Sequence, residues 1–103
     1  MRVSRETVDT RMSAFKDACA RSGLKVTHQR MEVFRAVAST EEHPDVESIH
    51  RAVRKRVPTI SPDTVYRNLK LLNDHGLVSI VGTSHERLRF DANMEGHHHF
   101  ACV

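Results

Sequence analysis

The 103-residue chain has no tryptophan, a single tyrosine and only two cysteines, with no long apolar run. Without an uninterrupted apolar stretch no membrane helix is expected, and Met1-Arg2-Val3-Ser4-Arg5-Glu6 lacks the apolar centre of a secretory signal. A cytoplasmic location and no membrane partner are therefore expected. Cys19 and Cys102 lie far apart, and a reducing compartment would keep them as thiols, so no disulfide is expected. Glycine and proline are scarce too, at four and three residues, and neither a low-complexity linker nor an internal repeat interrupts the chain. That leaves one small domain whose core is near the lower size limit for independent folding.

The 16 Lys+Arg against 13 Asp+Glu leave a net charge of +3, which is compatible with nucleic-acid binding without requiring it. The distribution says more. Lys25, Arg30, Arg54-Lys55-Arg56, Arg67, Lys70, Arg87 and Arg89 fall at expected helix ends, on one expected helix face, or in an expected hairpin. Phosphate neutralisation needs such scatter over one face, although each cation taken singly also reads as an ordinary solvated one.

The few glycines and prolines punctuate four helices. Val8, Met12, Phe15 and Cys19 mark one face of a first helix ending at Ser22-Gly23, which makes Cys19 a core residue. Thr27 caps a second helix with Met31, Phe34, Val37 and Ala38 buried. Asp45 caps a third with Val46, Ile49, Val53 and Val57 buried, closed by Pro58. Ser61 caps the fourth, with Pro62 at its first position, Asp63 at the positive end of the helix dipole, and Gly76 as its left-handed stop.

In that fourth helix Val65, Leu69 and Leu72 recur at i, i+4 and i+7, which predicts a buried stripe, with Asp63, Tyr66, Arg67, Lys70 and Asn73 on the opposite face. An exposed tyrosine beside an arginine is what a DNA-reading helix would carry; a tyrosine lying over its own helix is the alternative. Leu77-Val78-Ser79-Ile80-Val81 and Arg87-Leu88-Arg89-Phe90-Asp91 then read as two strands around the turn-like segment 82–86. The expected fold class is mainly α with a small β-hairpin: a winged helix-turn-helix with an additional N-terminal helix. Residues 1–92 form that domain, and residues 93–103 read as a hinge and the opening strand of a truncated second domain.

His97, His98 and His99 alternate if extended, placing His97 and His99 on one face and His98 on the other. Asp91 ends the second strand, and His43 lies in the loop before the third helix. Nitrogen and carboxylate donors without thiolate suit iron(II), manganese(II) or zinc(II). An exposed polar strand or an engineered remnant accounts equally well for the three histidines; for His43 on sequence alone a locally hydrogen-bonded loop histidine is the favoured reading, and Asp91 also reads as a plain turn residue.

Several ordered segments resemble the ferric uptake regulator family. They are Gly23-Leu24-Lys25-Val26-Thr27-His28-Gln29-Arg30, His43-Pro44, Ser61-Pro62-Asp63-Thr64-Val65-Tyr66-Arg67-Asn68-Leu69, Gly76-Leu77-Val78, Arg89-Phe90-Asp91 and His97-His98-His99-Phe100-Ala101-Cys102. Together they span nearly the whole chain. The resemblance implies a metal-dependent repressor, not an enzyme, that binds double-stranded DNA at a palindromic operator and is a homodimer at full length. It implies that His43, Asp91, His97 and His99 hold a regulatory iron(II) or manganese(II), that Tyr66 and Arg67 read the major groove, and that Lys25 contacts the minor groove. Asp91, where iron-responsive members tend to carry Glu, is similar to the peroxide-sensing branch, in which oxidation of ligating His43 or His97 would release the protein from DNA. An iron- or zinc-responsive repressor of the same family, or a winged helix without metal sensing, are the other readings. Two departures stand out: His28 replaces the usual Pro, and Cys102 is one partial contributor to a four-thiolate structural zinc site that this chain does not complete.

Overall fold

The computed structural model describes residues 3–84 and 87–92, with side chains described outside 82–87. Its elements run α1 (Arg5–Ser22), α2 (His28–Ala38), α3 (Val46–Arg54), α4 (Pro62–Asp74), β1 (Val78–Ser84) and β2 (Arg87–Ala92). The three expected caps form, and Ser4, not singled out by the pattern, adds a fourth on α1. The side chains of Ser4, Thr27, Asp45 and Ser61 accept from the backbone N–H groups of Thr7, Arg30, Ser48 and Thr64, each satisfying a donor that has no partner within its helix. Gly23 takes the left-handed conformation at φ 76°, which lets the Leu24 N–H turn back to the Cys19 carbonyl at 2.9 Å.

One helix is shorter than its apolar pattern predicts. The pattern carries α3 to Val57, whereas the helix ends at Arg54 and the chain tightens into turns, with Lys55 N–H reaching the Ala52 carbonyl at 3.3 Å. Pro58 stops any continuation, since a residue before proline is pushed out of the helical region, and the last turn mixes three-residue bonds with one four-residue bond, Val57 N–H to the Val53 carbonyl at 2.8 Å. Val57 still packs against the core from the turn.

α2 is central, touching α1, α3, α4 and β2. It consequently buries a wider face than its periodicity predicts, including the carboxylate-bearing Glu32, whose Oε1 lies 3.3 Å from Arg35 Nε and 3.7 Å from Arg56 Nε. Phe15 of α1 stacks on Phe34 of α2 with ring centroids 4.3 Å apart, both fully buried. Cys19 lies in the same core, and burial raises its thiol pKa against the opposing charge of Arg30. β1 and β2 form an antiparallel hairpin, pairing Val78 with Ala92, Ile80 with Phe90 and Val81 with Arg89, with a register irregularity between Val81 and Ser84. Val78 and Phe90 are buried from the hairpin into the helical core. Three helices and this wing make a winged helix-turn-helix, with α1 added in front. No described helix is long and apolar enough to cross a membrane.

Candidate nucleic-acid interface and metal centre

α4 is presented by its own apolar stripe. Val65, Leu69 and Leu72 are fully buried, so the helix can sit on the core in only one rotation, which turns Asp63, Tyr66, Arg67 and Lys70 to solvent. Asn73, expected on that open face, is half-buried. Tyr66 keeps 38% of its surface exposed, and Arg67 Nη2 meets Asp63 Oδ2 at 3.0 Å one helical turn back. With both side chains largely solvated, this pair adds little stability, but it restrains the guanidinium on the open face.

A polar residue interrupts the buried side of the same helix. Asn68 donates Nδ2–H to the Thr64 carbonyl at 3.0 Å, and its Oδ1 accepts from Arg30 Nε at 3.1 Å. Arg30 Nη1 also donates to the Lys25 carbonyl at 2.7 Å. This chain of bonds ties the exposed Lys25-Val26 segment before α2 to the flank of α4. The sequence groups Arg30 with the outward cations; in the fold its Nε turns inward. Asn68 carried a usable signal, being a polar residue next to Leu69 on a stripe of branched apolar ones.

The expected metal ligands are partly described. His43 sits in the α2–α3 loop at φ 53°, a left-handed conformation uncommon outside glycine. Two kinds of contact hold it there: Arg89 Nη1 donates to the His43 carbonyl at 3.1 Å, and the backbone at Asp45 pairs antiparallel with that at Arg89, Phe90 N–H donating to the Pro44 carbonyl at 3.0 Å. The loop is thus stitched to β2 two residues before Asp91, and His43 Nε2 comes to 3.9 Å from Asp91 Oδ1. Both side chains are about half exposed and free to adjust. Two donors about 2.0–2.2 Å from one ion stand roughly 3–3.5 Å apart, so a small rotamer change suffices, and the imidazole–carboxylate pair suits a divalent first-row metal. Among the described residues no group of three His, Cys, Asp or Glu converges. The expected ligands His97 and His99, and Cys102, lie outside the described residues.

The model of the Ferric uptake regulator family matches residues 21–103, covering the α2–α4 unit, the wing and the histidine cluster together. The chain belongs to the ferric uptake regulator family. Within that family, the peroxide-responsive repressor PerR of Staphylococcus epidermidis is 30% identical over 97 residues, 94% of this chain and 65% of that protein. Among solved structures, a manganese uptake regulator is 32% identical with a TM-score of 0.67, over 75% of this chain and 57% of the other. PerR from Streptococcus pyogenes, described as sensing peroxide and regulating genes, is 26% identical with a TM-score of 0.70, over 79% of this chain and 56% of the other. The chain therefore spans about two thirds of that curated ferric uptake regulator relative and little more than half of the two solved ones.

Proposed function

We propose that the chain is the DNA-reading and ligand-bearing part of a metal-responsive transcriptional repressor. The observation that carries the reading is the placement of two candidate sites on one rigid unit. α4 offers Tyr66 and Arg67 from a fully packed base, while His43 and Asp91 meet where the wing's second strand is stitched to the α2–α3 loop. In this reading Tyr66 and Arg67 contact base edges in the major groove, Lys25 reaches the minor groove, and the wing lies along the backbone. His43 and Asp91, with His97 and His99, hold iron(II) or manganese(II), and closing that shell fixes the wing relative to the recognition helix. Residues 1–92 are assigned to the winged helix and residues 93–103 to a hinge and the first strand of a dimerisation domain. In a protein of the relatives' length, the homodimer presents two such heads to a palindromic operator, and Cys102 contributes to a structural zinc site.

The finer reading is a peroxide sensor. Bound iron(II) with an open position would supply reduction of peroxide beside its own ligands. His43 supports this role because its side chain is about half exposed and so open to peroxide from solvent. The net change is transfer of one oxygen atom to a ring carbon with release of water, consuming the sensor without turnover. Exposing the iron-loaded and manganese-loaded full-length protein to peroxide tests this. A gain of one oxygen on the peptides containing His43 or His97, with loss of DNA binding in the iron form alone, supports it. Unmodified histidines and retained binding refute the peroxide reading while leaving metal-dependent repression standing.

A further inference from the structure

Among the described residues three arginines are half-buried, and Arg30 is the one of the three without a carboxylate. Arg11 Nη2 meets Glu41 Oε2 at 2.9 Å, and Arg35 Nε lies 3.3 Å from Glu32 Oε1. Arg30 instead gives Nε to the neutral Asn68 amide oxygen at 3.1 Å and Nη1 to the neutral Lys25 carbonyl at 2.7 Å. Partial burial of a cation without an anion is unfavourable, and the two neutral acceptors hold the guanidinium in place without neutralising it. Its other N–H donors stay uncommitted, in a fork whose spacing matches two oxygens of a phosphate.

The location narrows what the anion is. The fork lies between the Lys25 backbone and α4, where Asn68 directly follows the exposed Arg67. We propose that Arg30 is a preformed clamp for one phosphodiester of the DNA backbone, entering the notch between residues 25–27 and α4. Neutral tethers suit this task, because a carboxylate there would compete with the phosphate for the same donors. Lys25, exposed at the notch edge, adds a second positive charge. The inference rests on the DNA-binding reading above and deepens it by assigning a sequence-independent contact that also sets the height of α4 over the duplex.

The test is a fluorescence-anisotropy titration of the chain with a random-sequence DNA duplex over a series of KCl concentrations. Losing one phosphate contact makes the slope of log K against log salt shallower by about 0.9. Arg30→Gln should show that change and Arg30→Lys should keep the wild-type slope. Asn68→Asp, which supplies the missing carboxylate and so retains a tether if Arg30→Gln fails to fold, should also flatten the slope by about 0.9. Wild-type slopes in folded Arg30→Gln or in Asn68→Asp overturn the clamp while DNA binding stands. A wild-type chain with no salt-dependent binding overturns the DNA reading and the clamp with it.

Discussion

His43 and Asp91 approach to 3.9 Å between Nε2 and Oδ1, and the backbone, more than their own attraction, puts them there. Arg89 holds the His43 carbonyl, Phe90 holds the Pro44 carbonyl, and the loop at φ 53° does the rest. In a chain of the relatives' length, His43→Ala and Asp91→Ala should each weaken manganese(II) binding at least as much as loss of a ligand's supporting contact does, about 10–100-fold. Calorimetric titration checks this. His98→Ala is expected to leave the affinity unchanged, because an extended strand points it away from His97 and His99; an equal loss in that variant would contradict the strand assignment.

Arg67 lies on the open face of α4 with Asp63 as its partner. Arg67→Ala should cost about 1–3 kcal/mol of operator affinity and relax preference at one base pair. Asp63→Asn removes a negative charge from the proposed DNA-facing side and frees the guanidinium, so affinity for random-sequence duplex should rise while discrimination falls. Selection from a randomised duplex pool, with and without each substitution, reads both effects. Unchanged affinity and preference for Arg67→Ala would remove it from the reading surface.

The aromatic stack is the largest single target for stability. Phe15 and Phe34 are both fully buried with centroids 4.3 Å apart, so Phe15→Ala should destabilise the fold by about 3–5 kcal/mol, measured by urea unfolding. Ser61→Ala, which removes the N-cap of α4 at an exposed site, should cost about 1 kcal/mol.

Cys19 is buried and its thiol pKa is raised, first by desolvation. The sign follows from linkage: a folded pKa above the unfolded one adds stability at pH below the ordinary thiol value of 9.0, and that stability is lost as pH rises through the folded value. Cys19 should therefore resist alkylation in the native chain at pH 8 and react only on unfolding, with peptide mass mapping separating it from Cys102. Rapid native labelling would contradict the packing.

Much of the fold was legible because short-range rules decided it. The caps at Ser4, Thr27, Asp45 and Ser61 follow from one residue and its helix, and Ser4 is the one of these that the pattern did not single out. The stripe Val65, Leu69 and Leu72 determined α4's rotation, and with it the exposure of Tyr66 and Arg67. The early end of α3 came from a conflict between two local signals, an apolar period running to Val57 and a proline at 58. What could not be read were partnerships between distant segments. Arg30 with Asn68, Glu32 with Arg56, and Arg89 with the His43 carbonyl all depend on how α2, α4 and the wing are assembled. The same holds for the candidate metal site: residue types suggested donors, but the approach of His43 to Asp91 depends on the left-handed loop.

Metal-dependent operator binding is tested most directly by an operator titration of a chain of the relatives' length in chelator and in manganese(II), run beside His43→Ala. Manganese(II) should raise operator affinity of the wild type by at least tenfold, about 1.4 kcal/mol, and leave His43→Ala at the chelator value. Equal affinity with and without metal, or a full manganese response in His43→Ala, would contradict that expectation.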